Sequence, residues 1–349
     1  MNRFNCPCGA EVFFESRVCE SCKRALAFNP DTLSFELLPP ENAPTEPNAS
    51  STHLCKNGID YGVCNWLAPS DAPGGFCSGC QYNRTIPNLG CGENIKRWGI
   101  IEASKKRLLY SLLRLGLPLE SGWQLPGRGL LFDFLEDQRS NPQASTPFVT
   151  TGFLDGVITL NVLEADPALR FVEQQAANEV YRTVLGHLRH ESGHYVFSLF
   201  TEEPCLQQSF TDLFGDSAAD YAQALDAFYR NGPRPDWDQN YITPYASSHP
   251  LEDWAETWGH YLHIHDTLET AAGFKLIPVS PQQQTFEQRL QSWRNLSVGF
   301  NELNRSMGLN DAYPFVINDK VDEKLRFADV VTDAVKTLDL DSVAAPPLS

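Results

Sequence analysis

No apolar run in this 349-residue chain approaches the roughly 20 residues that a membrane span needs, so no membrane-spanning segment is expected. The N-terminal stretch MNRFNCPCGAEVFFE has no apolar signal-peptide core, because cysteines and a glutamate interrupt it. Basic charge is scarce. Lys and Arg number 27 against 44 Asp and Glu, a net charge of −17. Such a field repels nucleic acid and anionic membrane surfaces. No internal repeat is visible beyond two cysteine clusters. After Cys91 cysteine almost disappears, with Cys205 alone in the rest of the chain. These absences predict a cytoplasmic protein with neither a membrane nor a nucleic-acid partner. A hydrophobic content of 42% and a charged content of 20% suit a globular chain with a core.

What the chain does have is cysteine in close pairs near its start. Cys6, Cys8, Cys19 and Cys22 form C-x-C and C-x-x-C pairs around a β-like run, AEVFFESRV. Two tight turns can bring four thiolates onto one tetrahedral ion, the closed geometry of structural zinc. A segment this short buries no core, so the metal would supply its folding energy. Residues 53–92 carry a second set, Cys55, Cys64, Cys77 and Cys80, with His53 or Cys91 as alternatives for one of the first pair. A second zinc is expected there. Cys205 reads as a small buried apolar residue.

The chain divides accordingly into a zinc ribbon at 1–38, a Pro- and Ser-rich linker at 39–52, a second cysteine-rich module at 53–92, a long mixed domain at 93–340 and a flexible tail at 341–349. In the long domain, NIKRWGIIEASKKRLLYSLLRLGL has helical periodicity and DGVITLNVLEAD reads as a short strand. Val157–Asn161 is expected to present an open edge on which an extended peptide can add as a strand. Helices are predicted over 171–200, 214–230, from Ser248 as cap with Pro250 in the first turn, and over 281–307. The fold class is α+β: a mainly helical domain with a short sheet, preceded by small β-rich modules.

The stretch LGHLRHESGHYVF holds His190-Glu191-Ser192-Gly193-His194, an H-E-x-x-H pattern. Residues four apart stack on one helical face, so both imidazoles can grip one zinc. The intervening glutamate then lies near an attacking water, where it can take the proton and later pass it to a leaving amine. The flanking VYRTVLG and YVFSLF predict a buried helix, and buried ionisable groups need partners. His187, one turn earlier, is expected to be a supporting hydrogen-bond partner. The metzincin extension is absent, since YVFSLFTEE follows His194. The third ligand must therefore come from a later element, and HPLEDWAETWGHY offers Glu252 and Glu256 on one face. One can bind the metal while the other fixes a ligand imidazole.

The motifs CPCG with CESC, FCSGCQYNRTIPNL, GVITLNVLEAD, YRTVLGHLRHESGHY, FGDSAADYAQAL and YASSHPLEDWAETWGHYLHIHDTLETA span most of residues 6–273. In them the chain resembles bacterial zinc-binding metallopeptidases that carry an N-terminal zinc ribbon. The resemblance implies a gluzincin-like peptidase fold and no particular substrate. One departure is Ser217, which stands where the family position after FGD is acidic. The chain is also similar, more remotely, to toxin-type gluzincins with an E-x-x-x-E pattern. That similarity implies that Glu252 is the zinc ligand and Glu256 its neighbour behind the imidazole. It also implies that Tyr245, seven residues before the ligand, faces the oxyanion.

The expected function is zinc-dependent peptide hydrolysis. His190, His194 and Glu252 hold one catalytic zinc, Glu191 acts as base and then acid, and Tyr245 donates to the oxyanion. One to two structural zincs complete the metal content. The substrate is a protein or peptide, and the ribbons suit a protein partner. Two alternatives are a catalytically silent, zinc-scaffolded binding module and a ribbon-mediated nucleic-acid binder. Retention of Glu191 and Tyr245 argues against the first. The balance of six Lys and Arg against nine Asp and Glu in residues 1–92 argues against the second.

Overall fold

The computed structural model describes residues 1–39, 52–176 and 182–338. Most of the predicted linker and the whole predicted tail lie outside the described residues. The chain forms two compact units, one of residues 2–114 and 120–173, the other of residue 1, residues 115–119 and residues 174–349. Among the described residues no helix is long and apolar enough to cross a membrane.

The first unit begins with three small hairpins. Strands β1 (Phe4–Asn5) and β2 (Glu11–Val12) pair antiparallel, as do β3 (Leu26–Asn29) and β4 (Ser34–Leu37), and β5 (Thr52–Leu54) and β6 (Leu67–Pro69). Helix α1 (Lys56–Tyr61) lies between the last two strands, and α2 (Ser78–Gln81) and β7 (Asn83–Thr85) follow. The long helix α3 (Asn94–Leu115) comes next, then β8 (Leu131–Leu135), β9 (Gly152–Leu154), β10 (Val157–Asn161) and α4 (Pro167–Ala176).

Such short strands bury little by themselves. Their core is an aromatic cluster that α3 completes. Phe4, Phe14, Phe28, Trp66 and Tyr110 are all buried, and the Phe14 and Tyr110 ring centroids stand 5.4 Å apart, edge to face. Tyr110 belongs to α3, so the helix that the sequence assigned to the long domain is part of the hairpins' core. Lys105 and Lys106 of the same helix are buried, with their ammonium groups donating to the backbone carbonyls of Gly79 and Val63.

The four-stranded sheet has the order β7-β8-β10-β9. Strand β10 pairs parallel with β8 and antiparallel with β9, so it is internal and the expected open edge is not there. The cause is local. Asp155 and Gly156 have φ values of 47° and 80°, the two left-handed residues that close a tight hairpin and fold β9 back onto β10.

The second unit is helical. It holds α5 (Val184–Leu199), α6 (Pro204–Phe214), α7 (Tyr221–Asn231), α8 (Trp237–Asn240), α9 (Pro250–Gly273), α10 (Phe286–Ser306) and α11 (Asp319–Val335). The predicted helix over 171–200 is two helices, with residues 177–181 outside those described. The predicted helix over 214–230 starts only at Tyr221. Gly215, with φ of 105°, breaks the chain after α6, and the Asp220 side chain caps α7 by accepting the Gln223 N–H. Helix α10 begins at Phe286, where Thr285 and Gln288 form a reciprocal capping box.

Helices α5 and α9 cross at the centre of this unit. A Cβ placed on Gly193 would stand 2.8 Å from the Ala255 Cα, so only glycine permits this approach. The crossing is tied by Trp254, whose Nε1 donates to the Gly193 carbonyl at 2.7 Å, and by Trp258, whose Nε1 donates to Ser192 Oγ at 3.0 Å. Two buried ion pairs flank it, Arg189–Asp266 at 2.6 Å and Asp253–Lys324 at 2.6 Å.

Candidate metal centre

Helix α5 starts at Thr183, whose side chain accepts the Gly186 N–H. From there the helical repeat brings His190 and His194 onto one side, with ring centroids 5.1 Å apart. Helix α9 is capped by His249 rather than Ser248: His249 Nδ1 accepts the Leu251 N–H, and Pro250 takes the first helical position. With Nδ1 accepting, Nε2 carries the proton, and it lies 3.1 Å from the Ala219 carbonyl. Glu252 follows in the first turn, where the helix dipole favours negative charge.

These two helix segments bring the expected ligands together. Glu252, 1% exposed, places Oε2 at 3.0 Å from His190 Nε2 and Oε1 at 3.4 Å from His194 Nε2. The donor atoms of His190, His194 and Glu252 all lie within 4.8 Å of one another. Glu256, one turn further along α9, meets the other side of His190, with Oε1 at 2.6 Å from Nδ1. Its Oε2 accepts from Thr243 Oγ1 at 2.8 Å, and Thr243 in turn accepts the Ala246 N–H. The segment that carries Tyr245 is thus tied to Glu256.

The electrostatics follow from burial and from this pairing. Burial raises the Glu191 carboxyl to about 7, and the neighbouring Glu252 charge adds to that while His190 opposes it. Burial depresses the His194 imidazole to about 4. Burial would also depress His190, but the facing Glu252 and Glu256 carboxylates hold it well above the ordinary histidine value. Burial works against ionisation of Glu252, yet its contacts with His190 and Tyr221 bring it down to about 2. Burial and the Glu252 charge keep the Tyr245 phenol well above its usual range, so it remains a proton donor. The Tyr245 ring centroid lies 6.0 Å from that of His190.

Zinc suits this donor set. Glu252 Oε2 is buried and makes no hydrogen bond among the described residues. A buried ionised oxygen without a donor is costly, and a cation shared with two imidazole Nε2 atoms removes that cost. Two histidines and one carboxylate, with a position left over, is the ligand pattern of a catalytic rather than a structural zinc. His187 is not part of the three-donor group, although its charge reaches Glu191.

In the other unit, Cys6, Cys8, Cys19 and Cys22 converge, as do Cys55, Cys64, Cys77 and Cys80. Sulfur separations are 3.8 Å for Cys6–Cys22, 3.7 Å for Cys8–Cys19 and 3.6 Å for Cys64–Cys77. A tetrahedron with zinc–sulfur bonds of about 2.3 Å has edges of about 3.8 Å, so both clusters have its dimensions. Backbone N–H groups of Trp66 and Cys77 donate to the sulfurs of Cys64 and Cys55. The Lys106 ammonium is buried nearby, and the charges of Cys64 and Glu102 outweigh that burial to keep it protonated. Cys91 and His53 stand outside the four-sulfur group. Cys205 is exposed, against expectation, because it sits in the first turn of α6 on a face without buried residues.

The sequence profile of the family described as "Putative zinc-binding metallo-peptidase" matches residues 94–331, and a zinc-ribbon domain profile matches residues 3–91. The chain belongs to this metallo-peptidase family. Its curated relatives include the uncharacterized proteins Rv2568c of Mycobacterium tuberculosis and Mb2598c of Mycobacterium bovis, each 39% identical over 344 residues that cover 96% of both chains. No solved structure matches. The metallo-peptidase profile spans parts of both compact units, and the zinc-ribbon profile covers both cysteine clusters.

Three side chains at the metallo-peptidase centre escaped the sequence reading. Thr243 and His249 act through the contacts above. Tyr221 is the third, donating from its hydroxyl to Glu252 Oε1 at 2.6 Å. No spacing rule links residues 31 positions apart. The only signal was the position of Tyr221 inside FGDSAADYAQAL.

Proposed function

We propose that the chain is a gluzincin-type peptidase that hydrolyses peptide bonds at the His190, His194 and Glu252 centre. The observation that carries this reading is the convergence of two Nε2 atoms and one buried carboxylate within 4.8 Å, with Glu191 on the same helix between the two histidines. A zinc ion held by these three residues would supply a Lewis acid that lowers the pKa of water and polarises the scissile carbonyl. Glu191 takes the proton of the attacking water and delivers it to the leaving amine. Its raised carboxyl, at about 7, suits both directions of transfer near neutral pH. Tyr245 donates its phenolic hydrogen to the developing oxyanion, a contribution worth a few kcal/mol. Glu256 accepts the Nδ1–H of His190, which leaves Nε2 with its lone pair directed at the donor group.

The two four-cysteine clusters take one structural zinc each, giving three zincs per chain. They scaffold a surface for a protein partner or substrate, in a reducing, cytoplasmic setting. The test combines metal analysis with cleavage of a mixed peptide library read by mass spectrometry. Three zincs per chain and cleavage lost in Glu191→Gln are expected. Cleavage that persists in Glu191→Gln, or none with a fully metallated wild type, overturns the peptidase reading.

A further inference from the structure

We propose that Tyr221 is a positioning residue for the metal centre: its hydroxyl occupies Oε1 of Glu252 and directs Oε2 alone toward the metal. This rests on the assignment of Glu252 as third ligand. The Tyr221 hydroxyl donates to Oε1 at 2.6 Å, a length typical of a hydrogen bond to an ionised carboxylate. The other oxygen, Oε2, makes no hydrogen bond among the described residues and lies 3.0 Å from His190 Nε2. Oε1 thus takes the Tyr221 hydroxyl, with His194 Nε2 at the longer distance of 3.4 Å, while Oε2 has no hydrogen-bond donor among the described residues and faces His190.

The hydroxyl is held in place from several directions. Tyr221 is the first residue of α7, and the Asp220 side chain caps that helix by accepting the Gln223 N–H. Just before it, His249 Nε2 faces the Ala219 carbonyl at 3.1 Å. The rings of Tyr221 and His249 meet edge to face with centroids 5.0 Å apart. His249 also caps α9, the helix that carries Glu252, so one imidazole registers the ligand and its hydrogen-bond donor against each other.

Packing does not account for Tyr221. Helix α7 has no buried residue, and Tyr221 is 42% exposed. A phenol retained there for its apolar area would sit deeper. Its buried end is the hydroxyl contact with a carboxylate that is 1% exposed. Tyr245 has a different place in the site. Its ring lies beside His190 and against Phe228, at 6.0 and 5.7 Å between centroids. Tyr245 also feels Glu252, but from the His190 side, whereas the Tyr221 hydroxyl takes Oε1 directly at 2.6 Å.

The experiment uses the full chain and reads the metal directly. Wild type, Tyr221→Phe, Tyr61→Phe and Glu252→Ala are titrated with a chromogenic chelator to measure affinity for the readily released zinc. That ion is then replaced by cobalt and the visible absorption recorded. Tyr221→Phe is expected to weaken zinc about 10–100-fold, as loss of a hydrogen bond to a ligand usually does, and to shift the cobalt bands. Tyr61→Phe, at the end of α1 in the other unit, is expected to leave both unchanged. Wild-type zinc affinity together with an unshifted cobalt spectrum in Tyr221→Phe overturns the proposal. If Glu252→Ala loses the ion while Tyr221→Phe keeps wild-type affinity and spectrum, the positioning role alone falls. If Glu252→Ala keeps the ion, the ligand assignment itself falls. Because Tyr221 is 42% exposed and Phe keeps its ring, a preserved melting temperature is expected and confirms that the variant is folded.

Discussion

Glu256 and Glu252 take opposite nitrogens of His190: Glu256 Oε1 lies 2.6 Å from Nδ1, and Glu252 Oε2 lies 3.0 Å from Nε2. The two glutamates stand one helical turn apart, and the imidazole is threaded between them. Glu252 also approaches His194 and Tyr221, whereas Glu256 turns to Thr243. Neighbouring residues of the same type thus have separate tasks.

Removal of either carboxylate should separate those tasks. Glu252→Ala deletes a ligand and is expected to release the catalytic zinc at modest chelator concentration. Glu256→Ala removes only the brace behind His190, and an affinity or activity loss of about 10–100-fold is expected. Both variants should keep the cysteine-bound zincs. Chelator titration with metal analysis reads the difference, and the reverse order would exchange the two roles.

Glu191→Gln keeps the size and polarity of the side chain but cannot accept a proton. Peptide hydrolysis is expected to fall by at least 10²–10⁴-fold, the usual worth of a general base, with zinc content unchanged. Steady-state rates alongside metal analysis check this. A parallel loss of metal would mean that Glu191 holds the site together instead.

Gly193→Ala should disturb the crossing of α5 and α9. The added methyl would meet the Ala255 Cα at 2.8 Å, so backbone must move, at a cost of about 1–3 kcal/mol or more. Gly259, also on α9, has its nearest neighbour at 3.6 Å and room for a methyl group. Gly259→Ala is expected to be neutral or to stabilise by about 0.4–1 kcal/mol through helix propensity. Urea midpoints of the two variants should move in opposite directions or by clearly different amounts.

Acid should destabilise the helical unit through neutral histidines. Burial depresses His260 from 6.5 to about 4 and His263 to about 3. The unfolded chain takes up these protons below about pH 6.5 while the folded chain refuses them, so stability falls as pH drops from there toward 4. His260 alone accounts for a loss on the order of 3 kcal/mol across that window. His260 Nδ1 lies 2.9 Å from the Tyr313 hydroxyl, a contact that a glutamine can reproduce. His260→Gln should therefore flatten the curve of urea midpoint against pH in chelator-treated protein. An unchanged slope would show that His260 is already charged in the fold.

The two cysteine clusters should respond differently to loss of one ligand. Cys8 is exposed and Cys22 half-buried, whereas Cys55, Cys64, Cys77 and Cys80 are all buried. Cys19→Ser is expected to open residues 1–30 to proteolysis and leave the helical unit intact. Cys64→Ser should do wider damage, because its cluster lies against Trp66 and the buried lysines of α3. Limited proteolysis with mass mapping distinguishes them. Full reactivity of all eight thiols without a chelator would argue against both zinc clusters.

Local periodicity explains what the sequence revealed. His190 and His194, four apart, and Glu252 and Glu256, four apart, are geometric statements about single helices, and each pair does lie within one helix, α5 or α9. Close cysteine pairs are equally local. What escaped depends on partners distant in the chain. The Tyr221–Glu252 hydrogen bond joins segments with no common period. The internal position of β10 follows from pairing with β8 on one side and with β9, across the Asp155-Gly156 turn, on the other. The membership of α3 in the first unit depends on Tyr110 meeting Phe14. Even Ser248 as cap was lost to its neighbour, because an imidazole Nδ1 can accept the Leu251 N–H as well as a hydroxyl does.

The tryptophan ties between α5 and α9 have a consequence for the life cycle of the metal. Trp254 and Trp258 hold the helices through indole hydrogen bonds that involve neither histidine nor glutamate ligands. The crossing of α5 and α9 therefore has ties of its own, and a metal at the proposed centre would not be what holds the two helices together. The first four-cysteine cluster differs, since zinc there would join short turns, with Phe4, Phe14 and Phe28 packed beside them. If the proposed centre takes zinc, the ion could leave and return without unfolding the helical unit, whereas loss of a cysteine-bound zinc would loosen the turns around it. On that reading zinc scarcity would silence the protein while leaving its helices assembled.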